Sequence, residues 1–156
     1  MTRVEGTVEQ LLTEVERLPA DVLYREPEPG EWPVMSTLAH LAELMPFWAS
    51  EGAGLAAEPG KQLGRSLDDP RRVEPIEEHG RDSLDAMVTR VRVALAECVG
   101  MLRAIPDEGW QVRGSHPRHP SISVYELIEI YVCSHATEHA RQIHATLKTL
   151  EPASRG

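Results

Sequence analysis

The sequence predicts an all-α fold, a four-helix bundle with one long crossover loop, on three observations. Four stretches repeat their apolar residues at spacings of three and four, the period of a helix that buries one face. Prolines and capping residues sit at the ends of those stretches. No run of alternating apolar and polar residues reads as a strand.

The first helix is expected over about Val8 to Leu18. Thr7 and Gln10 have capping-box spacing, and Val8, Leu11, Leu12, Val15 and Leu18 share a face. Pro19 ends it, and residues 25–30 form a stiff, proline-rich connector. The second helix is expected over Val34 to Glu51, with Pro33 in its first turn and Leu38, Leu41, Met45 and Trp48 as its stripe. Pro46 lies inside it and should bend it. Residues 52–80 lack a steady period and read as a long loop with at most a short helical turn. The third helix runs from Asp82 to Ile105, where Leu84, Val88, Val91, Leu95, Cys98, Leu102 and Ile105 make a bundle-core stripe. Pro106 stops it, and a loop from Asp107 to Pro120 follows. The fourth helix starts at Ser123, whose spacing to Glu126 again fits a capping box, and continues to Leu150.

The chain has 156 residues, 41% hydrophobic, and reads as a single domain over residues 1–156. That length can bury a core without a disulfide or structural metal. The formal charge is −9, with 25 acids against 16 bases, which argues against nucleic acid as a partner. The basic patches, Arg71–Arg72 and Arg113 to Arg118, are short and fall in expected loops. Cys98 and Cys133 have no CxxC spacing, the N-terminus has no basic-then-apolar leader, and no apolar run could span a membrane. The expectation is a cytoplasmic protein with free, core-packed thiols.

Seven histidines are present, and position separates them. Val124, Ile128, Tyr131, His135, His139, Gln142 and Thr146 trace one stripe that turns from apolar to polar. His135 and His139 are four apart, so both rings leave one face and can converge on one ion. Taken alone, such a pair reads more readily as hydrogen-bonded core-edge histidines than as a metal site. His40 lies off the main stripe of the second helix, on a face with Ser36, Glu43 and Phe47. If the second and fourth helices are neighbours, His40 supplies a third nitrogen, and three protein ligands leave positions open for chemistry. Glu43 is a candidate to orient a ligand or take a proton, or else a solvated carboxylate. His116 and His119 either line a pocket mouth or simply make a turn, and His79 reads as a surface residue. His144 points away from His135 and is excluded as a ligand. No glycine-rich phosphate loop, HExxH or GxSxG is present.

Two segments resemble the DinB-like superfamily, also called DinB/YfiT-like, over nearly the whole chain. In PEPGEWPVMSTLAHLAE, Trp32 precedes a helix carrying His40. The segment ending SHATEHARQIHATL resembles the family's last core helix with its HxxxHxxQI pattern, here His135, His139, Gln142 and Ile143. The resemblance implies an up-down-down-up bundle and one zinc, nickel or iron-like divalent ion on His40, His135 and His139. It also implies a homodimer, supported by apolar residues off the main stripes (Val93, Val99, Ile130 and Val132). Relatives include transferases and isomerases that use a low-molecular-weight thiol. Two departures stand out: Ala136 replaces an aspartate common after the first histidine of the pair, with Glu138 as a substitute acid, and Pro33 replaces a serine. The resulting expectation is a metal-dependent enzyme that activates a thiol or water for transfer to a small electrophilic substrate. Hydrolysis is the second reading, and a non-catalytic, metal-binding dimeric module is the rival.

Overall fold

The computed structural model describes residues 2–150, so residues 1 and 151–156 of the expected domain lie outside it. Helix α1 spans Thr2–Val15, a turn earlier than the sequence suggests. Val4 extends the buried stripe of Val8, Leu11, Leu12 and Val15 by one step of four. Thr7 is therefore inside the helix. Its hydroxyl donates to the Arg3 carbonyl at 2.9 Å and caps nothing. After Pro19 a single turn, α2 (Ala20–Leu23), buries Leu23.

Helix α3 spans Val34–Ala57 and runs through Pro46, past the expected end at Glu51, because Gly52 and Leu55 are still in the core. The region read as a loop contains a ten-residue helix, α4 (Pro70–His79). Asp69 caps it, accepting from the Arg71 amide at 2.9 Å, with Pro70 in the first turn. It has no buried residue, so it shows no apolar period. Helix α5 spans Leu84–Arg103 with Ser83 as its cap.

The loop after α5 also departs from expectation. A 3-10 turn at Asp107–Gln111 leads into a hairpin, β1 (Arg113–His116) and β2 (His119–Ser123). Its antiparallel register pairs Gly114 with Ile122 and His116 with His119, around an irregularity between Gly114 and His116. Residues 60–63 lie along the other edge of β1: the Gly60 amide donates to Arg113 at 2.8 Å, and Leu63 to Ser115 at 2.8 Å. Gly114 makes this approach possible, since a Cβ there would run into the Lys61 carbonyl and the Leu55 side chain.

The last helix begins as expected. The Ser123 hydroxyl accepts from the Glu126 amide at 3.1 Å, and the Glu126 carboxylate accepts from the Ser123 amide at 2.8 Å. It is not uniform, however. A short α6 (Val124–Ile128) passes into a π-helical stretch, Glu129–Ser134, before α7 (His135–Leu150). π-turns insert an extra residue and often sit at functional positions. This one ends immediately before His135.

Cross-helix pairs fix the topology. Glu9 meets Arg92 and Glu5 meets Arg103, so α1 and α5 are antiparallel. Arg3 meets Glu129 of the π-helical stretch and Glu14 meets His144 of α7, so α1 is parallel to the last helix. His40 meets His139 and Trp48 meets Tyr131, so α3 opposes the last helix. The order is up-down-down-up, and the parallel α3 and α5 need the long crossover between them. One core runs through all four long helices. Two of the off-stripe residues that suggested an interface, Val99 and Val132, belong to that core. Val93 and Ile130 are exposed, on different helices. Among the described residues no helix is long and apolar enough to cross a membrane.

Candidate functional site

The antiparallel contact between α3 and α7 brings together the three singled-out histidines. His139 is the middle ring. Its centroid lies 4.9 Å from His40, edge to face, and 5.9 Å from His135. Imidazoles around one ion, with nitrogens at about 2.1 Å and near-tetrahedral angles, have centroids about 5 Å apart. The two observed spacings bracket that value. His40 is 5% exposed and has Trp32 against its other side, with ring centroids 5.2 Å apart.

None of the three rings is paired with a carboxylate among the described residues. His139 donates from Nδ1 to the Gln142 side-chain oxygen at 3.1 Å, which leaves Nε2 with its lone pair. Among the described residues, His40 Nδ1 and His135 Nδ1 are buried and make no full hydrogen bond, the Tyr131 backbone carbonyl acting only weakly on the His135 ring. A buried polar nitrogen without a partner is costly. Burial, reinforced by His139 and Arg72, pushes the His40 pKa down to about 3. Burial also holds His135 and His139 below the ordinary value. All three are thus neutral at pH 7, the form that donates to a metal. This donor set fits a divalent ion chemically. As they stand, the side chains do not close into a ready ion site: no group of three His, Cys, Asp or Glu among the described residues is already so arranged.

The three rings open onto a cavity of about 460 Å³. Leu44 and Trp48 of α3 and Tyr131 of the π-turn form an apolar wall, with Trp48 stacked on Tyr131 at 4.5 Å. The crossover contributes Arg65, Ser66, Leu67 and Arg72, and the hairpin contributes His116 to Arg118. Residues 65–67 and 72, from the segment between α3 and α5, therefore line the cavity. Tyr131 links floor and hairpin: its ring lies 5.6 Å from His135, and its hydroxyl is 3.3 Å from His116 Nδ1. Gly64 (φ +106) lets the crossover pass the His116 ring, which a Cβ would crowd at 3.2 Å.

The remaining candidates fall elsewhere. Glu43 does not line the cavity. Both its oxygens accept from Arg65, whose guanidinium lies 3.8 Å over Phe47. It tethers the crossover to α3, a buried ion pair rather than the solvated carboxylate or free base considered from sequence. His144 pairs with Glu14 on α1, away from the cavity. His79 is half-buried against Asp82 at 2.9 Å. His116 is both a hairpin residue and a cavity wall. Arg72 and Arg118, which as sequence looked like weak nucleic-acid patches, line the same cavity; no local pattern would have assigned them there. Cys133 and Cys98 are buried, free and outside it.

A family model of the DinB superfamily matches residues 3–143. The chain belongs to the DinB superfamily. No curated protein sequence matches it significantly. Among solved structures, this DinB chain is similar to YfiT from Bacillus subtilis, described as a probable metal-dependent hydrolase with an unusual four-helix bundle topology. The TM-score is 0.73 at 17% identity, covering 94% of this chain and 83% of that one. It is also similar to a mycothiol-dependent maleylpyruvate isomerase, with a TM-score of 0.71 at 13% identity over 91% of this chain. The DinB chain spans 58% of the isomerase's length. At these identities the likeness establishes the fold.

Proposed function

We propose that His40, His135 and His139 hold one divalent metal ion and that the protein is a metal-dependent enzyme acting on a small molecule. The observation that carries this is the pair of buried, unpartnered Nδ1 atoms, on His40 and His135, flanking His139 at the floor of a cavity. Neutral imidazoles without an acid partner are poor core filler and good ligands. Once bound, such an ion supplies a Lewis acid that lowers the pKa of a thiol or water beside it.

The chain's own residues do the rest. Gln142 holds the His139 tautomer. The buried Leu44 and Trp48 make the cavity's inner wall apolar beside the histidines. The Tyr131 hydroxyl and His116 form a pair that can hold or pass a proton at the wall. Neither cysteine reaches the cavity and burial raises both thiol pKa values, so the nucleophile comes from outside as a thiol or water. The descriptions of the two similar structures, a probable metal-dependent hydrolase and a mycothiol-dependent isomerase, support the same pair of chemistries. Thiol transfer is the preferred reading, because the apolar wall of Leu44, Trp48 and Tyr131 suits the body of an organic thiol or electrophile better than water alone. A homodimer belongs to the proposal on the family resemblance alone.

The test is a turnover assay pairing glutathione, bacillithiol and mycothiol with a model electrophile, run beside ester hydrolysis. Activity that disappears on chelation and returns with zinc or nickel supports the proposal. Metal-free preparations as active as loaded ones, or no ion bound per chain, would overturn it.

A further inference from the structure

The chain carries a formal charge of −9, yet the wall of its histidine cavity is positive. Three guanidiniums line it, Arg65, Arg72 and Arg118, against one carboxylate, Glu138. Arg65 is neutralised by Glu43. The other two are not. Arg72 donates to the Leu67 carbonyl at 2.9 Å, lies 5.7 Å from the Trp32 ring centroid, and meets no acid among the described residues. The Arg118 side chain makes no hydrogen bond or ion pair among the described residues. They come from different elements, Arg72 from α4 and Arg118 from the hairpin turn, and each is anchored separately. Asp69 caps α4, and the Arg118 amide donates to His116 Nδ1 at 3.1 Å. The stacked Trp48–Tyr131 pair lines the same cavity as these cations and the floor histidines.

We infer that the cavity takes a small organic anion whose negative group is met by Arg72 and Arg118 and whose apolar body lies on Trp48 and Tyr131. Two unneutralised guanidiniums beside an apolar wall match an anionic head on an apolar body. In a chain whose overall field repels anions, a local cationic wall also discriminates in favour of this class over neutral molecules of the same shape. The inference rests on the metal-centre reading only for which end of the ligand reacts. The anion-binding arm stands apart from it.

The experiment titrates phenylacetate, phenyl phosphate and the neutral phenylacetamide into metal-free and zinc-loaded protein, following tryptophan fluorescence, for which Trp48 is a reporter inside the cavity. The expected result is that at least one anion binds roughly tenfold or more tightly than the amide in both forms. Arg72→Gln and Arg118→Gln should each reduce that preference several-fold without changing amide affinity, and the lysine variants should keep part of it. Arg118 is exposed, so its variants test the inference even if Arg72→Gln folds poorly. Preference for phenyl phosphate over phenylacetate, or the reverse, identifies the head group and supports the inference either way. Equal affinity for anions and amide overturns it. So does an anion preference that appears only with zinc and survives both glutamine substitutions. If zinc fails to bind while the preference persists in the metal-free protein, the metal-centre reading falls and this inference stands.

Discussion

Burial acts on Cys98 and His40 in the same way and leaves them with opposite chemistry. Cys98 sits in the middle of α5, among the apolar residues that hold the bundle together. Burial pushes its pKa up to about 12. His40 sits on α3 facing α7, and burial with its cationic neighbours pushes its pKa down to about 3. In both cases the low-dielectric interior favours the neutral form. A neutral thiol is an inert, compact apolar group. A neutral imidazole carries a lone pair, and at His40 none of the described residues uses its Nδ1. The same physics therefore makes one half of the core structural and the other half a set of donors. What distinguishes the two regions is neighbours: Val91, Leu95 and Leu102 along the α5 stripe around Cys98, against two further histidines around His40.

The largest effect expected from breaking this contrast is on metal affinity. His40→Ala, His135→Ala and His139→Ala should each weaken binding by more than about a hundredfold, measured by competition with a chromophoric chelator. His144→Ala, which loses only its contact with Glu14, should bind like the parent. Equal losses at His144 and His40 would mean that the wrong face of α7 had been chosen.

A second expectation concerns the metal-free protein and has a sign on each side of neutrality. His40 has a folded pKa of about 3 against an ordinary 6.5, so the unfolded chain binds its proton first. Its contribution to stability is complete above pH 6.5 and is lost as the pH falls from there towards 3. Cys98 mirrors this. Its thiol ionises first in the unfolded chain, so stability falls as the pH rises from about 9 towards about 12. Thermal melts across pH should show both arms. His40→Leu should flatten the acid arm only, and Cys98→Ala the alkaline arm only. An acid arm unchanged in His40→Leu would contradict the account of its burial.

How much of this was legible in the sequence follows from what each element buries. The stripes of α3, α5 and α7 carry a helical period because each buries one face, and the Ser123–Glu126 capping box is a local pattern that holds in the structure. Helix α4 shows no apolar period in the sequence because it buries nothing, although Asp69 and Pro70 mark its start. The hairpin was missed because β1 is flanked by partners from different parts of the chain, residues 60–63 on one edge and β2 on the other, and prolines at 117 and 120 disguise it. The π-turn has no local signature at all. At the site, spacing drew attention to His135 and His139, and an off-stripe position to His40. Arg65, Arg72 and Arg118 could not be placed, because the Arg65–Glu43 tether and the backbone pairing of residues 60–63 with β1 are tertiary facts.

Smaller effects sharpen the comparison. Gln142→Leu removes the hydrogen bond that sets the His139 tautomer while leaving all three rings, and should weaken metal binding roughly tenfold. Binding equal to that of the parent would mean Gln142 has no part in orienting the ring. Cys98→Ala should leave metal affinity and turnover unchanged and cost about 1 kcal/mol of stability, from a small cavity. Native-state labelling with iodoacetamide should be slow at both Cys98 and Cys133 and fast only after unfolding.

The central claim is that three imidazoles, and no thiolate, meet at one ion. X-ray absorption fine structure of the zinc-loaded protein reads this directly. The account predicts three imidazole nitrogens at about 2.0 to 2.1 Å, falling to two in His40→Ala. With no added thiol present, a sulfur scatterer near 2.3 Å, or an imidazole count unchanged in His40→Ala, would contradict it.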